Sequence, residues 1–223
     1  NSNRAVFGAV YEPLAGRGNC PSFTKALAGI CADRYGVQFV KQTKVRDFTT
    51  SHGTITGLRT DRGAIALPPD TPVVLAAGSW TPYLCWRLGL FVPIYPMKGY
   101  TLMVDLPPAS AAANTPSPQD VPQRAVTFHD MFIARLGTQI RMSAFGEFDG
   151  WSTQSRPEVD KKVRKSAKHI SPALGAHIDA APTVCGLRPM SADGCIIAGR
   201  TEQYSNLYLN VGPGHNGWKT AVG

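Results

Sequence analysis

At 223 residues the chain is long enough for one large domain or two small ones, and its 43% hydrophobic residues are ample for a buried core. The formal net charge of +8 would suit a nucleic-acid-binding protein, but much of it lies on one predicted helix that carries Lys161, Lys162, Arg164, Lys165 and Lys168. Because no aromatic residues lie between these cations and no nucleic-acid-binding module is recognisable, the pattern indicates a solvated helix face and argues against a nucleic-acid partner.

The cysteines and histidines do not predict a metal site. The five cysteines, at positions 20, 31, 85, 185 and 195, are odd in number and lack the paired spacing of zinc ligands or of a disulfide framework. We therefore expect reduced thiols and no metal. No apolar run has the length of a membrane span, and the first residues lack the order of a signal peptide, so a soluble globular protein without a transmembrane segment is expected.

The first part of the chain predicts an edge strand and an amphipathic helix. The strand is expected at residues 5–12. The helix begins near Pro21 and ends before Gly36, which suits a left-handed C-terminal cap. Its apolar residues fall on one face, so we expect the helix to pack on a sheet.

Short strands follow this helix. They are expected at 37–40 and 45–48, and a hairpin is expected from 55–58 and 64–67. The continuous apolar run at 73–76 is typical of a strand buried on both faces in a parallel sheet.

Small residues end that buried strand. Ala77 and Gly78 stand at its carboxyl end, and Ser79 or Thr81 would cap a short helix that runs towards Leu88. Ligands of open α/β sheets bind at this end of parallel strands, although a tight turn would need the same small residues.

The middle of the chain predicts an antiparallel sheet. A long strand is expected at 93–106, and the proline-rich segment 107–122 is predicted to be a mobile surface loop. Residues 126–134 and 139–145 are predicted to pair and to turn at Gly137.

A helix is expected to cover this sheet. Ser155 and Glu158 have the spacing of a capping box, with a proline in the first turn. The apolar stripe of the helix is predicted to consist of Val159, Val163, Ala167 and Ile170.

Arg188 lies in an apolar, glycine-rich stretch that we expect to be a turn. With Leu187, Pro189 and Met190 as neighbours, its guanidinium is predicted to point into a cavity, where its planar fork of donors matches a carboxylate. A structural ion pair with Asp193 is the alternative.

The last glycines follow a strand predicted at 207–211. Gly212, Gly214 and Gly217 spell the dinucleotide-binding pattern, but the acidic residue expected about 20 positions downstream cannot follow, because only six residues remain. We interpret these glycines as a turn whose backbone N–H groups, with the helix expected behind them, favour a polar, negatively charged ligand.

Four motifs in order resemble the C-terminal part of FAD-dependent D-amino acid dehydrogenases, a branch of the D-amino acid oxidase, glycine oxidase and sarcosine oxidase group. The motifs are Val73–Trp80, Tyr95–Tyr100, Gly186–Gly194 and Gly212–Trp218. The resemblance implies an α/β (mixed α+β) fold, in which a partial FAD-binding domain carries an inserted substrate domain made of an antiparallel sheet and a helix. The implied boundaries are 1–90 and 185–223 for the FAD-binding parts and 91–184 for the substrate domain.

The resemblance also implies a function. The cofactor is FAD, and a D-amino acid is deaminated to a 2-oxo acid and ammonia, with a quinone or oxygen as electron acceptor. The family's N-terminal dinucleotide-binding unit is missing, so we expect a fragment, truncated at both ends, that is inactive and holds FAD poorly or not at all. A glycine or sarcosine oxidase-like activity and a cofactor-free remnant or binding domain are the alternatives. The cytoplasm, a mitochondrion or a membrane surface would each suit the family.

Residue roles follow by comparison with the family. The implied catalytic residues are Arg188, Tyr100 and Lys98. The implied substrate-binding residues are Arg188, Met131 and His129. The implied cofactor-binding residues are Val45, Ala77, Gly78, Gly186, Gly212, Gly214, His215, Asn216 and Gly217.

Overall fold

The computed structural model describes residues 8–14, 16–106, 124–128 and 131–221. Within these ranges the fold is mixed α/β, as predicted. Its elements, in chain order, are α1 (Cys20–Tyr35), β1 (Val45–Ser51), β2 (Thr54–Thr60), β3 (Gly63–Ala66), β4 (Val73–Leu75), α2 (Thr81–Arg87), β5 (Ile94–Asp105), β6 (Val126–Phe128), β7 (Met131–Leu136), β8 (Gln139–Glu147), α3 (Pro157–Ile170), α4 (Gly175–Ala180), β9 (Thr183–Ser191), β10 (Ile197–Arg200) and β11 (Leu207–Val211). Short 3-10 helices span Gly78–Trp80 and Pro172–Leu174.

The largest sheet is antiparallel and five-stranded, with the order β6–β7–β8–β5–β9. Side chains alternate between its two faces, and the even-numbered residues of β5 are all buried. Three of them, Tyr100, Leu102 and Val104, form a core with α3 and α4 that also contains Met131, Val163 and Ile178. One face of this sheet is therefore covered by helices, and the other, which we call the open face, carries the odd-numbered residues of β5.

Helix α3 covers the sheet with the predicted stripe. Val163 and Ala167 are fully buried, and Val159 and Ile170 pack against the same core. The N-cap is Arg156 rather than Ser155, and no side chain caps the helix. The reason is Pro157, because a residue before proline is held in an extended conformation and here begins the helix one position later.

A second sheet has the order β10–β11–β4, with β4 parallel to β11. It shares a core with α2 that contains Leu75, Leu84, Cys85, Leu207 and Val211. The predicted buried strand at 73–76 is confirmed as a strand, but Val74 is 57% exposed, so β4 is not buried on both faces. The reason is that its outer face has no covering layer in the described part of the chain.

The third sheet, β1–β2–β3, confirms the predicted hairpin and the strand at Val45. Buried Asn206 joins this sheet to the second one. Its Nδ2 donates to the carbonyl oxygens of Ile55 and Thr71 at 2.9 Å each, and its Oδ1 accepts from the N–H of Ile55 at 2.9 Å. One side chain thus satisfies three backbone groups from two other segments.

Helix α1 has the predicted limits, and Gly36 caps it at φ 64°. The prediction that it packs on a sheet is wrong within the described residues, because no residue of α1 is buried and the ring of Phe23 makes an edge-on contact with that of Trp218, which belongs to no sheet. None of the helices in the described ranges has the length and hydropathy that crossing a bilayer requires.

Four further predictions need correction. Residues 8–12 of the expected edge strand and residues 37–40 form no strand, because no strand in the described ranges pairs with them. The segment 126–134 is two strands, β6 and β7, paired with each other, and no glycine or proline between them marks the reversal. The helix expected after Gly217 is reduced to turns over residues 217–221, with one helical hydrogen bond from the N–H of Thr220 to the carbonyl oxygen of Asn216 at 3.2 Å. The predicted loop at 107–122 lies outside the described residues.

Candidate functional site

Arg188 lies on the open face of the five-stranded sheet. It belongs to strand β9, where it stands opposite Met97 of β5, so the expected turn at this position is wrong. The long antiparallel pairing of β5 with β9 makes this stretch a strand in spite of its glycine and proline. Met97 is an odd-numbered residue of β5, and Arg188 therefore points away from α3 and α4.

The guanidinium of Arg188 lies against Gly99. A Cβ atom built on Gly99 would lie 2.6 Å from Arg188 Cζ, so any side chain there would displace the arginine. Arg188 Nη1 donates to the carbonyl oxygen of Phe145 at 3.5 Å, the limit of a hydrogen bond. The planar guanidinium of Arg188 thus packs directly on the backbone of Gly99.

No described carboxylate forms an ion pair with Arg188. The alternative pairing with Asp193 is not formed, and that carboxylate instead accepts the N–H of Cys195 at 2.9 Å. Burial, and after it the charge of Arg141, lowers the pKa of Arg188. A half-buried cation with a second cation near it and no anion is stabilised by an incoming anion.

Three glycines form a row across the sheet beside Arg188. Gly99 of β5 stands opposite Gly146 of β8 and opposite Gly186 of β9. Met97 covers Gly146, with its Sδ 2.9 Å from where a Cβ would lie, whereas a Cβ on Gly186 would meet nothing within 4 Å. Open space therefore adjoins the guanidinium above Gly186.

Polar side chains border this row on the open face. The hydroxyls of Thr101 and Ser143 lie 2.9 Å apart, and Arg141 Nε donates to Ser143 Oγ at 3.1 Å. The border carries hydroxyls and a cation, and so it complements a polar, anionic ligand.

Lys98 and Tyr100 lie on the helix-covered face and are both fully buried. Lys98 Nζ donates to Asp149 Oδ2 at 2.5 Å and lies 3.0 Å from Glu147 Oε1. The Tyr100 hydroxyl donates to the same Glu147 oxygen at 2.5 Å. The structure therefore does not bring these two predicted catalytic residues to the face that Arg188 occupies.

The electrostatics of this cluster are those of a stable ion pair. Burial lowers the pKa of Lys98, but the hydrogen bonds with Asp149 and Glu147 outweigh it and raise the pKa overall. The Tyr100 hydroxyl and then Lys98 lower the pKa of Glu147. Burial and the bond to Glu147 raise the pKa of Tyr100. Lys98 thus stays charged and Tyr100 stays protonated at neutral pH, which suits a structural role.

Met131 is also buried on the helix-covered face. It is 1% exposed and stands opposite Ala144, within the core beneath the sheet. The structure therefore places Met131 away from Arg188, because its position in the alternation of β7 points it to the core. His129 lies outside the described residues.

The predicted cofactor-binding segments meet at one edge of the second sheet. Strands β4 and β11 are parallel and in register, with Leu75 opposite Leu209. Their carboxyl ends therefore point the same way, β4 towards Ala77 and Gly78 and β11 towards Gly212. These small residues stand at strand ends, where the sequence predicted them.

Both segments lie beside the open face. Trp151 donates its indole N–H to the carbonyl oxygen of Ser79 at 3.2 Å, and its ring lies 5.7 Å between centroids from that of Tyr95, an open-face residue of β5. On the other side, the N–H of Gly214 donates to the carbonyl oxygen of Pro189 in β9 at 3.0 Å. The strand ends and Arg188 thus belong to one region.

The hydroxyls of Ser79 and Thr81 are buried without a hydrogen-bond partner in the described part of the chain. The sequence predicted them as helix caps, but neither hydroxyl caps a helix. Buried hydroxyls nearly always have a partner, so these two are available to hydrogen-bond a water or a polar ligand.

Some backbone N–H groups of the glycine loop after β11 already donate to carbonyl oxygens of the protein. The N–H of Gly214 is used by Pro189 and that of Asn216 donates to the carbonyl oxygen of Pro213 at 2.9 Å, so these two amides do not face a ligand as expected. Gly212 and Gly214 have φ of 80° and 56°, which explains why glycine stands there. His215 is exposed at the tip, and a Cβ built on Gly217 would lie 3.4 Å from Pro213 Cγ.

Val45 begins β1 opposite Thr60 and packs partly buried against the second core. No group of residues in the described ranges has the composition of a metal site. Glu147 and Asp149 were missed, although an apolar strand that contains a lysine already indicates that a buried acid must lie nearby.

Comparisons with known proteins identify the family of the chain. The pattern of the DAO family, described as FAD dependent oxidoreductase, matches residues 1–223. The D-amino acid dehydrogenase of Granulibacter bethesdensis is 35% identical over 218 residues, which cover 98% of this chain and 49% of that protein. The enzyme of the same name from Methylobacterium nodulans is 38% identical over 216 residues, which cover 97% of this chain and 48% of that protein.

Solved structures show the same fold. The glycine oxidase of Bacillus cereus superimposes with a TM-score of 0.70 at 25% identity, over 88% of this chain and 50% of that one. The glycine oxidase of Geobacillus kaustophilus gives 0.71 at 24% identity, over 88% and 49%. The chain spans about half the length of the curated relatives it matches. With the match over its whole length, the chain belongs to the DAO family of FAD-dependent oxidoreductases.

Proposed function

We propose that the full-length protein, by which we mean this chain together with the half of its curated relatives that it does not cover, oxidises a D-amino acid to the imino acid. Water then hydrolyses the imino acid to a 2-oxo acid and ammonia. Family membership and relatives named D-amino acid dehydrogenase support this reaction. We also propose the domain division 1–90, 91–184 and 185–223, with strand β9 continuing the large sheet past residue 184.

The proposal depends mainly on the surroundings of Arg188. This arginine has a half-buried guanidinium on the open face, without a carboxylate partner among the described residues and with open space beside it above Gly186. An amino-acid carboxylate would supply the missing anion through two parallel N–H···O bonds. That contact fixes the substrate by the group that all amino acids share.

The residues present fit part of an FAD site. The buried hydroxyls of Ser79 and Thr81 lack partners within the described ranges, and the glycine loop from Gly212 to Gly217 lies beside the same open face. We propose that these segments, with Ala77 and Gly78, hold the cofactor on the side that meets the substrate. When bound, FAD supplies the acceptor for the two electrons that leave the substrate's Cα as hydride.

The chain's own contribution to the reaction is positioning. Arg188 holds the carboxylate, and the glycine row lets the substrate approach the sheet backbone, which shields it from water on one side. No histidine or carboxylate is among the buried residues of the described part of the chain. We therefore assign no general base from these residues.

A second candidate, oxidation of glycine or sarcosine, is favoured by the structural match to glycine oxidases. Arg188 would bind the carboxylate of these substrates equally well. Steady-state rates with D-alanine, glycine and sarcosine, each measured with oxygen and with a quinone, distinguish the two reactions and identify the electron acceptor.

Gly99→Ala tests the site without removing the arginine. The added methyl group would lie 2.6 Å from Arg188 Cζ and must push the guanidinium off the sheet. We expect the Michaelis constant for D-alanine to rise at least about tenfold, because a charge-assisted hydrogen bond contributes about 1.5–3 kcal/mol. Gly175→Ala in α4, where a Cβ meets nothing within 4 Å and the backbone is helical, is the control for an added methyl group elsewhere in the chain. If Gly99→Ala and wild type had the same kinetic constants, the substrate would not bind beside Arg188 on this face.

We expect the 223-residue chain purified alone to be colourless. The pyrophosphate of FAD binds at the dinucleotide fingerprint, and the glycine pattern at 212–217 does not supply one. The absorbance spectrum of the purified chain, after incubation with excess FAD and gel filtration, measures this directly. Stoichiometric flavin in the protein peak would show that the chain retains the cofactor by itself.

A further inference from the structure

We infer that Glu147, with Lys98 and Tyr100, positions Arg188 from the opposite face of the sheet. We call these three residues the clamp. The inference rests on the proposed function, since it takes Arg188 as the residue that binds the substrate carboxylate. The clamp does not touch the substrate, and it acts through the backbone that it shares with the floor of the site.

The shared backbone is a β-bulge between β5 and β8. Gly99 stands opposite Gly146, but the next residue, Tyr100, stands opposite Ala144, so Phe145 is an extra residue in β8. Phe145 has φ 58°, a left-handed conformation that a phenylalanine rarely adopts. Other contacts must hold the strand in this shape.

The clamp supplies those contacts on both sides of the bulge. Lys98 and Tyr100 flank Gly99 in β5, and Glu147 follows Phe145 by two residues in β8. Glu147 Oε1 lies 3.0 Å from Lys98 Nζ and accepts the hydroxyl of Tyr100 at 2.5 Å. One carboxylate oxygen therefore ties β8 to both neighbours of Gly99.

The bulge in turn shapes the surface under Arg188. Its extra residue presents the Phe145 carbonyl to Arg188 Nη1 at 3.5 Å, and it sets Gly146 beside Gly99, on which the guanidinium lies. Side chains alternate along a strand. Lys98 and Tyr100 of the clamp therefore lie on one face of this short segment, and Gly99, on which the guanidinium rests, faces the other. A shift of the bulge by one residue would move the Phe145 carbonyl and replace the glycine opposite Gly99.

The cluster is expected to tolerate loss of the Glu147 charge, because Lys98 has other partners. Asp149 Oδ2 lies 2.5 Å from Lys98 Nζ, and the carbonyl oxygen of Gln154 accepts from Lys98 at 3.1 Å. Buried Lys98 thus keeps a counter-charge in Glu147→Gln, and the variant should fold. What it loses is the charged acceptor that fixes Tyr100 and Lys98 to the end of β8.

The test measures ligand binding as well as turnover in the FAD-loaded full-length protein. Propionate, which has the carboxylate but no amine, is titrated while the flavin absorbance is recorded, and D-alanine kinetics are measured in parallel. For Glu147→Gln we expect the propionate Kd and the D-alanine KM to rise about tenfold, the size typical for residues that orient a ligand-binding side chain, with kcat within about threefold.

A double-mutant cycle shows whether the effect passes through Arg188. In the Arg188→Met background, Glu147→Gln should change the propionate Kd by less than about twofold. Asp179→Asn is the control, since it removes the exposed ion pair with Lys168, in which Nζ and Oδ1 are 2.5 Å apart, elsewhere in the same domain. It should leave both constants unchanged.

The outcomes separate the two proposals. If Arg188→Met leaves the propionate Kd unchanged, the proposed role of Arg188 fails. If Arg188→Met weakens propionate but the two substitutions are additive, or Glu147→Gln has no effect, only the clamp is overturned. Should Glu147→Gln not yield folded protein, Tyr100→Phe removes one of the same hydrogen bonds, and a rise of about threefold in both constants is expected; no rise would overturn the clamp.

Discussion

Arg188→Met in the full-length protein is expected to raise the Michaelis constant for D-alanine about a hundredfold or more, with bound FAD unchanged. Two charge-assisted hydrogen bonds to the carboxylate are lost, each worth about 1.5–3 kcal/mol, and about 1.4 kcal/mol corresponds to a factor of ten. Steady-state kinetics with an artificial electron-accepting dye and the flavin absorbance of the purified variant measure the two quantities.

Arg188→Lys separates charge from geometry at the same position. Lysine retains the positive charge but not the planar fork, so we expect a smaller rise of about tenfold. Arg141→Met is the matched control, because it removes the second cation of the open face while Arg188 remains on Gly99. If Arg188→Met and Arg141→Met had equal effects, Arg188 would contribute only general positive charge.

Asn206→Ala is expected to lower the free energy of unfolding by about 3 kcal/mol. Truncation removes three hydrogen bonds and leaves the buried N–H and carbonyl of Ile55 and the carbonyl of Thr71 without that partner, at about 1–3 kcal/mol for each unsatisfied group before water enters. Urea unfolding of the full-length protein followed by fluorescence measures the change. Asn210→Ala, at an exposed position of β11, the strand that follows Asn206, should change stability by less than about 0.5 kcal/mol. Equal effects of the two substitutions would show that Asn206 is not needed to join the sheets.

Local signals in the sequence predicted local structure well. Gly36 marked the end of α1, the periodicity at 159–170 marked the buried side of α3, and turn residues marked the β2–β3 hairpin. Each of these depends on residues a few positions apart, so it can be derived from one stretch of chain.

The face on which each site residue lies depends on distant parts of the chain. The alternation of β5 already separates Lys98 and Tyr100 from Gly99, but the position of Arg188 depends on its pairing with Met97, which is 91 positions away by residue number. The register of β8 against β5 likewise changes at the bulge at Phe145, and nothing local at Phe145 indicates a left-handed residue. The four motifs therefore predicted one site for Arg188, Lys98 and Tyr100, although the five-stranded sheet places Arg188 on one face and the other two on the opposite face.

The glycine row also limits which substitutions the site can accept during evolution. Its floor is peptide backbone from three neighbouring strands, and substitutions at Gly99 and Gly146 add atoms where Arg188 or Met97 already lies. Variation in what the site accepts must then come from the side chains around the floor. Met97, which covers Gly146, and Met190, which stands opposite Tyr95 on the open face, are flexible side chains that can be replaced by longer or shorter ones without moving a strand. We expect natural variants to differ in substrate range mainly at these two positions, with the floor itself left unchanged.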